Sequence, residues 1–244
     1  APQSQLRGKL NQMLSTRNDL FNGIGKMDLV EHHSETTDEI PINIPPYRLP
    51  TNLKHKVEIV VNDLLEKGII SHSNSEYSSP VILVKKPNDD VRVTIDYRVL
   101  NAKSKKDAFP CPRIDDLIEK LSDSKVFTKL DVKAAYHAIP ISKSDRHKTA
   151  FRFNNKLYEW NRVPFGLSSA PGTFNRLISK VLDGLPFAIT YFDDILVHSA
   201  NETEHLKHIE IVLDALNDAG LKLNADKCEF LTDNVEYLGF HIYL

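Results

Sequence analysis

Two adjacent aspartates, Asp193 and Asp194, interrupt an apolar stretch, "ITYFDDILVHS", at residues 189–199. Aspartate is a common turn former, so a pair of them between two β-rich runs reads first as a hairpin tip. The flanks "AITYF" and "ILVHS" predict buried strands, however, and the tip exposes two charges where Asn-Gly or Asp-Gly is usual. A third carboxylate, Asp131, closes another apolar strand, "FTKL", 62 residues before Asp193. Neighbouring strand ends would bring all three together. Like charges that close raise one another's pKa unless cations neutralise them, and divalent metal ions do this best. Oxygen ligands with no Cys or His adjoining them point to a hard cation such as Mg²⁺, which binds through one or two carboxylates plus substrate phosphates. Two such ions about 4 Å apart activate an attacking hydroxyl and stabilise a leaving oxygen in phosphoryl transfer.

The elements that must position these carboxylates follow from periodicity and punctuation. From Thr51, a candidate N-cap, Leu53, Val57, Val60, Val61 and Leu64 recur at helical spacing, and Gly68 is a stop signal. "SSPVILVKK" and "VRVTIDY", separated by "PNDD", predict a hairpin with Val93, Ile95 and Tyr97 on one face. Its charged face, Arg92, Thr94 and Asp96, is expected to point away from the core. A short helix through "PRIDDLIEKL" precedes a strand ending near Asp131, and a turn or short helix begins at Ala134. "TAFRFNNKLYEW" is a second hairpin, turning at Asn154 and Asn155. A helix is expected from about Pro171 to Leu182, with Ser168 or Ser169 as its cap. After the aspartate hairpin, Asn201 and Glu204 form a capping box, Leu206, Ile209, Leu213 and Leu216 make a buried stripe, and Gly220 ends the helix. His205 and His208 fall off that stripe and are expected on a solvated face. Helices segregated to one side of an antiparallel sheet describe an α+β layer fold.

With 41% hydrophobic and 26% charged residues among 244, the composition is that of an ordinary globular protein. No run approaches the roughly 18 apolar residues of a membrane span, and the N-terminal residues lack a signal-peptide core. A soluble cytoplasmic protein with no membrane partner is expected. Two cysteines, Cys111 and Cys228, are too few for a disulfide framework or a Cys-based zinc site. His32 and His33 have no partner at metal-ligand spacing. Residues 1 to about 50 show little periodicity and several prolines, and are expected to form a strap or linker. The formal net charge of −2 hides a local excess: eight cations (Lys85, Lys86, Arg92, Arg98, Lys103, Lys105, Lys106, Arg113) against four acids between residues 85 and 113. Lys143, Arg146, Lys148 and Arg152 form a second basic cluster. Basic hairpins beside a carboxylate trio suit chemistry on a nucleotide or nucleic acid.

"KLDVKAAYHAIPI", "RVPFGLSSAPGTFNRLI", "YFDD", "GLKLNADKCEF" and "EYLGF" occur in the order of the palm motifs of reverse transcriptases, and "SPVILVKKPNDDVRVTIDYRVLN" resembles their fingers hairpin. The resemblance covers about residues 40–244 and is strongest to gypsy-type LTR retrotransposon polymerases. It implies a right-hand polymerase fingers and palm, the palm being a ferredoxin-like antiparallel sheet. Residues 51–125 and 143–163 would be mainly fingers, and 126–142 and 164–244 palm, with thumb, connection and RNase H lying outside the chain. The implied activity is RNA-directed DNA synthesis with two Mg²⁺ ions, for which Mn²⁺ substitutes. The implied partners are an RNA or DNA template with its primer, dNTPs, and the remainder of Pol, namely thumb, RNase H and integrase, in virus-like particles. By this resemblance Asp131, Asp193 and Asp194 hold the metals, and Lys227 protonates pyrophosphate. Lys86 and Arg92 hold the incoming triphosphate, and Tyr136 is a steric gate against a 2′-hydroxyl. Phe165 and Gly166 wall the nucleotide pocket, Phe165 replacing a retroviral Gln and so removing an amide. Tyr237, Leu238 and Gly239 form the primer grip. The alternatives are a non-catalytic nucleic-acid-binding or assembly fragment, against which an intact repulsive carboxylate cluster argues, and an RNA-dependent RNA polymerase, against which Tyr136 argues.

Overall fold

The structure, a computed structural model, describes residues 2–107, 113–191, 194–237 and 240–243. The first elements are α1 (Pro2–Thr16), α2 (Thr51–Glu66), β1 (Ile70–His72), β2 (Val81–Lys85), β3 (Val91–Ile95), α3 (Arg98–Lys103) and α4 (Ile114–Lys120). They are followed by β4 (Val126–Asp131), β5 (Phe151–Phe153), β6 (Lys156–Trp160), α5 (Ala170–Val181), β7 (Ala188–Tyr191), β8 (Asp194–Ser199), α6 (Glu202–Asp218), β9 (Glu229–Thr232), β10 (Asn234–Tyr237) and β11 (Phe240–Tyr243). They divide into two units, residues 1–29, 108–138 and 174–244 in one, residues 30–107 and 139–173 in the other.

In the first unit, β4, α5, β7, β8, α6 and β9 follow one another as strand, helix, two strands, helix, strand, and the antiparallel sheet has the order β7-β8-β4-β9. That is the split βαβ arrangement of ferredoxin-like sheets. Phe127, Leu196 and Ile189 on one face cluster with Leu117 and Leu121 at the α4 end. On the other face Thr128, Leu130, Ile195 and Val197 are fully buried, and α6 lies over them. The N-cap half of the predicted capping box is present: the Asn201 side chain accepts from the Glu204 N–H at 2.9 Å. Gly220, with φ +78°, ends the α6 region where any Cβ would collide with the Lys26 carbonyl oxygen.

The second unit holds the three-stranded sheet β1-β6-β5 and the hairpin β2–β3. Asn154 and Asn155 take φ of +52° and +61°, the left-handed pair that a two-residue hairpin turn demands and that Asn tolerates best after Gly. Helix α2 buries Val57 and Val61, and Gly68 at φ +71° follows its end.

Thr51, expected to cap α2, is instead its first residue, with Pro50 at the N-cap position, and two larger expectations about these elements change. Residues 2–16 form a helix, although the sequence shows only a thin apolar stripe there, in which Leu10 is buried. Its support is tertiary: Leu10 is buried, Arg17, just past the end of α1, donates to Asp214 (2.8 Å) and Glu210 (3.0 Å) on α6, and tertiary contacts rather than propensity stabilise most short helices. Downstream, Leu20 accepts from the Leu223 N–H (2.8 Å), and the Lys26 and Met27 N–H groups donate to Gly220 and Ala138. In the second unit Ile44 and Ser78 continue this pattern, the Ile44 N–H donating to the Ser78 carbonyl at 2.9 Å.

The second change concerns His205, which is 0% exposed rather than solvated. Its Nε2 meets Thr128 Oγ1 at 2.6 Å on β4 and its Nδ1 meets Ser199 Oγ at 2.7 Å on β8; Ser199 also meets His208 Nδ1 at 2.6 Å. A polar side chain can lie outside an apolar stripe and still be buried when partners on the sheet satisfy it. Burial, then the neighbouring His208 and His198, push the His205 pKa down to about 3. In the unfolded chain it titrates near 6.5, so between those values the unfolded state binds more protons. The stability His205 contributes is complete above pH 6.5 and declines as pH falls toward 3. We expect His205→Leu to cost about 1–3 kcal/mol near pH 7.5, through the hydroxyls it leaves unpaired. Urea unfolding should show that deficit closing by about 2 kcal/mol at pH 5, where the wild type alone bears the histidine's proton linkage.

Candidate active site

Asp131 is the last residue of β4 and Asp194 the first of β8, and the antiparallel register pairs them directly, Asp131↔Asp194. Directly opposed residues project to one face, with Cβ atoms about 4.5–5.5 Å apart. Two carboxylates 63 positions apart in sequence thus share one rung at the end of the ladder, both partly exposed. Asp194 is expected in the turn but lies in the strand: it pairs with Tyr191, leaving only residues 192 and 193 to connect β7 and β8. Asp193 is outside the described residues. Burial raises the Asp194 pKa, Lys129 opposes the shift, and Asp131 adds to it.

The floor beneath Asp131 comes from the segment after α6. The Asn224 N–H donates to the Asp131 carbonyl (3.0 Å) and its side-chain amide to Asp131 Oδ1 (2.7 Å). The Asp131 N–H reaches Cys228 Sγ at 3.4 Å, and burial, the main cause, pushes that thiol up to about 11, so it stays neutral. Lys227 is exposed in the single 3₁₀ turn Ala225–Lys227, its N–H bonded to the Asn224 carbonyl. Tyr136 lies in another such turn, Ala135–Ala138, its ring edge-on to Phe174 with centroids 6.1 Å apart. Tyr237 ends β10 opposite Phe240; Leu238 and Gly239 are outside the described residues. Asn224 escaped the sequence reading because one Asn after a helix looks like any turn former.

In the second unit, the Lys86 N–H closes the β2–β3 loop onto the Asp90 carbonyl at 2.7 Å. Arg92 on β3 places its guanidinium carbon 5.4 Å from the ring centroid of Phe165, a cation–π contact. Gly166 has φ +98°, where L side chains are strained. Asn101 holds this loop with both ends of its amide, donating to the Gly166 carbonyl (2.7 Å) and accepting from the Ser168 N–H (3.0 Å). It too was missed. Asp96 departs from the expected outward face. It is 6% exposed, takes two bonds from the Arg98 guanidinium (2.9 and 2.8 Å) and one from the Tyr47 hydroxyl (3.0 Å), and the Arg98 bonds hold its pKa well below the usual carboxylate range. Alternation along the strand ends at Ile95, and the turn into α3 brings Asp96 inward.

Among the described residues, no group of three His, Cys, Asp or Glu side chains is placed to hold a metal ion. The Asp131–Asp194 pair fits a hard cation in chemistry: both ligands are carboxylates, they face the same way, and the side chain that donates to Asp131 is a neutral amide that leaves its charge in place. Among the described residues no helix is long and apolar enough to cross a membrane.

A ferredoxin-like sheet carrying paired carboxylates at a strand end is the palm of a right-hand nucleic-acid polymerase, and with the second unit it makes a polymerase fingers-and-palm fold. Residues 84–242 match the family "Reverse transcriptase (RNA-dependent DNA polymerase)", and the chain belongs to that family. It is 38% identical over 209 residues to the Transposon Tf2-3 polyprotein of Schizosaccharomyces pombe (strain 972 / ATCC 24843), a match covering 85% of this chain and 16% of that polyprotein. The chain thus spans a small part of the relatives it matches. Among solved structures it is similar to a foamy viral protease-reverse transcriptase in complex with RNA/DNA hybrid, with TM-score 0.89, 26% identity, and coverage of 98% of this chain and 33% of that one. A second structure of such a protein, in complex with ds DNA, gives TM-score 0.89 and 26% identity over 98% of this chain and 43% of that one.

Opposed like charges in a strand pair cost about 0.2–1 kcal/mol. We expect Asp194→Asn to stabilise the metal-free protein by about that amount, seen as a higher urea midpoint in chelator with an unchanged slope. A lower midpoint would contradict the repulsion.

Proposed function

We propose that the chain is the fingers and palm of an RNA-directed DNA polymerase that adds dNTPs to a primer 3′-hydroxyl on an RNA or DNA template. The observation that carries this is the Asp131↔Asp194 rung, because binding alone gives no reason to hold two repelling carboxylates at a strand end. Family membership and the likeness to a reverse transcriptase in complex with RNA/DNA hybrid support it.

In this reading Asp131 and Asp193 hold two Mg²⁺ ions, or Mn²⁺ in their place, and Asp194 completes the carboxylate set. When bound, such ions supply a more acidic primer hydroxyl and charge neutralisation at the leaving pyrophosphate. The protein's own groups do the rest. Lys86 offers the incoming triphosphate a point charge, and Arg92 a planar fork that lies over the Phe165 ring. Gly166 gives the pocket wall a backbone shape that a side chain would strain. Tyr136, braced edge-on by Phe174, excludes a 2′-hydroxyl. Lys227 passes a proton to the pyrophosphate oxygen as it departs. Tyr237, Leu238 and Gly239 grip the primer. Residues 51–125 and 143–163 are read as mainly fingers, 126–142 and 164–244 as palm, and 1–50 as an N-terminal strap. Thumb, RNase H and integrase come from the rest of the Pol polyprotein, in cytoplasmic virus-like particles. Phosphate contacts dominate such binding, so affinity for primer-template should fall as salt rises.

Primer extension on an RNA template with Mg²⁺ and dNTPs, at low salt, tests this. The wild type should extend the primer, and Asp131→Asn or Asp193→Asn should reduce extension by about a hundredfold or more. Extension that survives Asp193→Asn removes the metal assignment. Tyr136→Ala should raise rNTP incorporation; unchanged rNTP use would remove the gate.

A further inference from the structure

Asn224 stands at the N-cap of the 3₁₀ turn Ala225–Lys227, where an Asn side chain ordinarily accepts a bond from the turn's own N–H groups. Here it makes no capping bond. Its amide instead donates to Asp131 Oδ1 at 2.7 Å, across 93 residues of sequence. The backbone leaves it little freedom to let go: its N–H donates to the Asp131 carbonyl (3.0 Å), its carbonyl accepts from the Lys227 N–H (3.2 Å), and the Leu223 N–H before it is tied to Leu20 (2.8 Å). Leu223 also bridges Val132, the residue after Asp131.

We propose that Asn224 is a positioning residue that sets the divalent-cation affinity of Asp131, an inference that rests on the polymerase reading above. The chemistry of the donor is the point. A Lys or Arg in the same place would fix the carboxylate equally well but would cancel the charge a cation needs. A neutral amide fixes one oxygen, spares the charge, and leaves Oδ2 and a further lone pair of Oδ1 available. The bond also limits the carboxylate's rotation, so less order has to be imposed when a cation arrives. Asn224 touches neither substrate nor reacting atoms in this scheme; it acts through Asp131.

The test is Mn²⁺ binding to the purified chain, followed by loss of the free-ion electron paramagnetic resonance signal, for wild type, Asn224→Ala, Asn224→Ser and Asp131→Asn. Asn224→Ala is expected to weaken Mn²⁺ binding by about tenfold, the usual scale for losing an outer partner of a metal ligand. Asn224→Ser, with a shorter donor, is expected between Ala and wild type. In primer extension the half-saturating Mg²⁺ concentration should rise in parallel, while the dNTP KM at saturating Mg²⁺ stays unchanged. A merely structural role would lower activity without moving the Mg²⁺ dependence, and that result overturns the proposal. If Asn224→Ala binds Mn²⁺ like wild type while Asp131→Asn does not, Asn224 has no such role and the polymerase reading stands. If Asp131→Asn also binds like wild type, both fall. Should Asn224→Ala fail to fold, the serine variant alone decides: wild-type affinity together with an unchanged Mg²⁺ dependence rejects the proposal, and weakening of both supports it.

Discussion

Pairing of β4 with β8 puts Asp131 opposite Asp194, and the palm unit is arranged around holding that rung in register. A slip of β8 by one residue would turn Asp194 to the face opposite Asp131 and move the apolar residues behind it off the faces that bury them. The apolar residues just along the strands prevent it. Leu130, Ile195, Leu196 and Val197 are each 0% exposed, and burial of such side chains contributes about 1.5–3 kcal/mol apiece. Repulsion across a single rung is about 0.2–1 kcal/mol. Hydrophobic burial wins by a wide margin, so an unfavourable electrostatic pair persists at the strand ends, where partial solvation keeps its cost low.

Polar groups add specificity where the apolar contacts cannot. His205 reaches from α6 to Thr128 on β4 and to Ser199 on β8, so one imidazole ties the helix to both strands of the central pair. Its directional bonds are satisfied in one placement of α6 over the sheet. The segment after α6 is held similarly, through Leu223 and Asn224 on one side and residues 20–27 of the N-terminal segment on the other. The N-terminal residues therefore contribute to the floor of the carboxylate site, though they are distant from it in sequence.

Local features of the sequence were informative where the governing physics is local. The Asn154–Asn155 turn, the Asn201–Glu204 cap, the α2 and α6 stripes and the glycines that follow those helices depend on residues within about a turn of one another. The aspartates also stood out, since charge in an apolar run is unusual wherever the run ends up. Other features were hidden. The first helix lacks a strong stripe and depends on Arg17 meeting Glu210 and Asp214. Asp96 looked outward by strand alternation until the backbone turned it toward Arg98 and Tyr47.

By itself, the sequence determined the element types, the antiparallel α+β class and the presence of a carboxylate set suited to a hard cation. Tertiary structure alone decided that Asp131 faces Asp194 across one rung, that His205 is buried, and that the Asn224 amide turns from its own turn to a carboxylate. The reason is range. Capping, turn and amphipathic preferences act over a few residues, whereas these contacts join residues 63, 77 and 93 positions apart. Such pairs are set by sheet register and helix placement, which the whole core selects together and no short window of sequence contains.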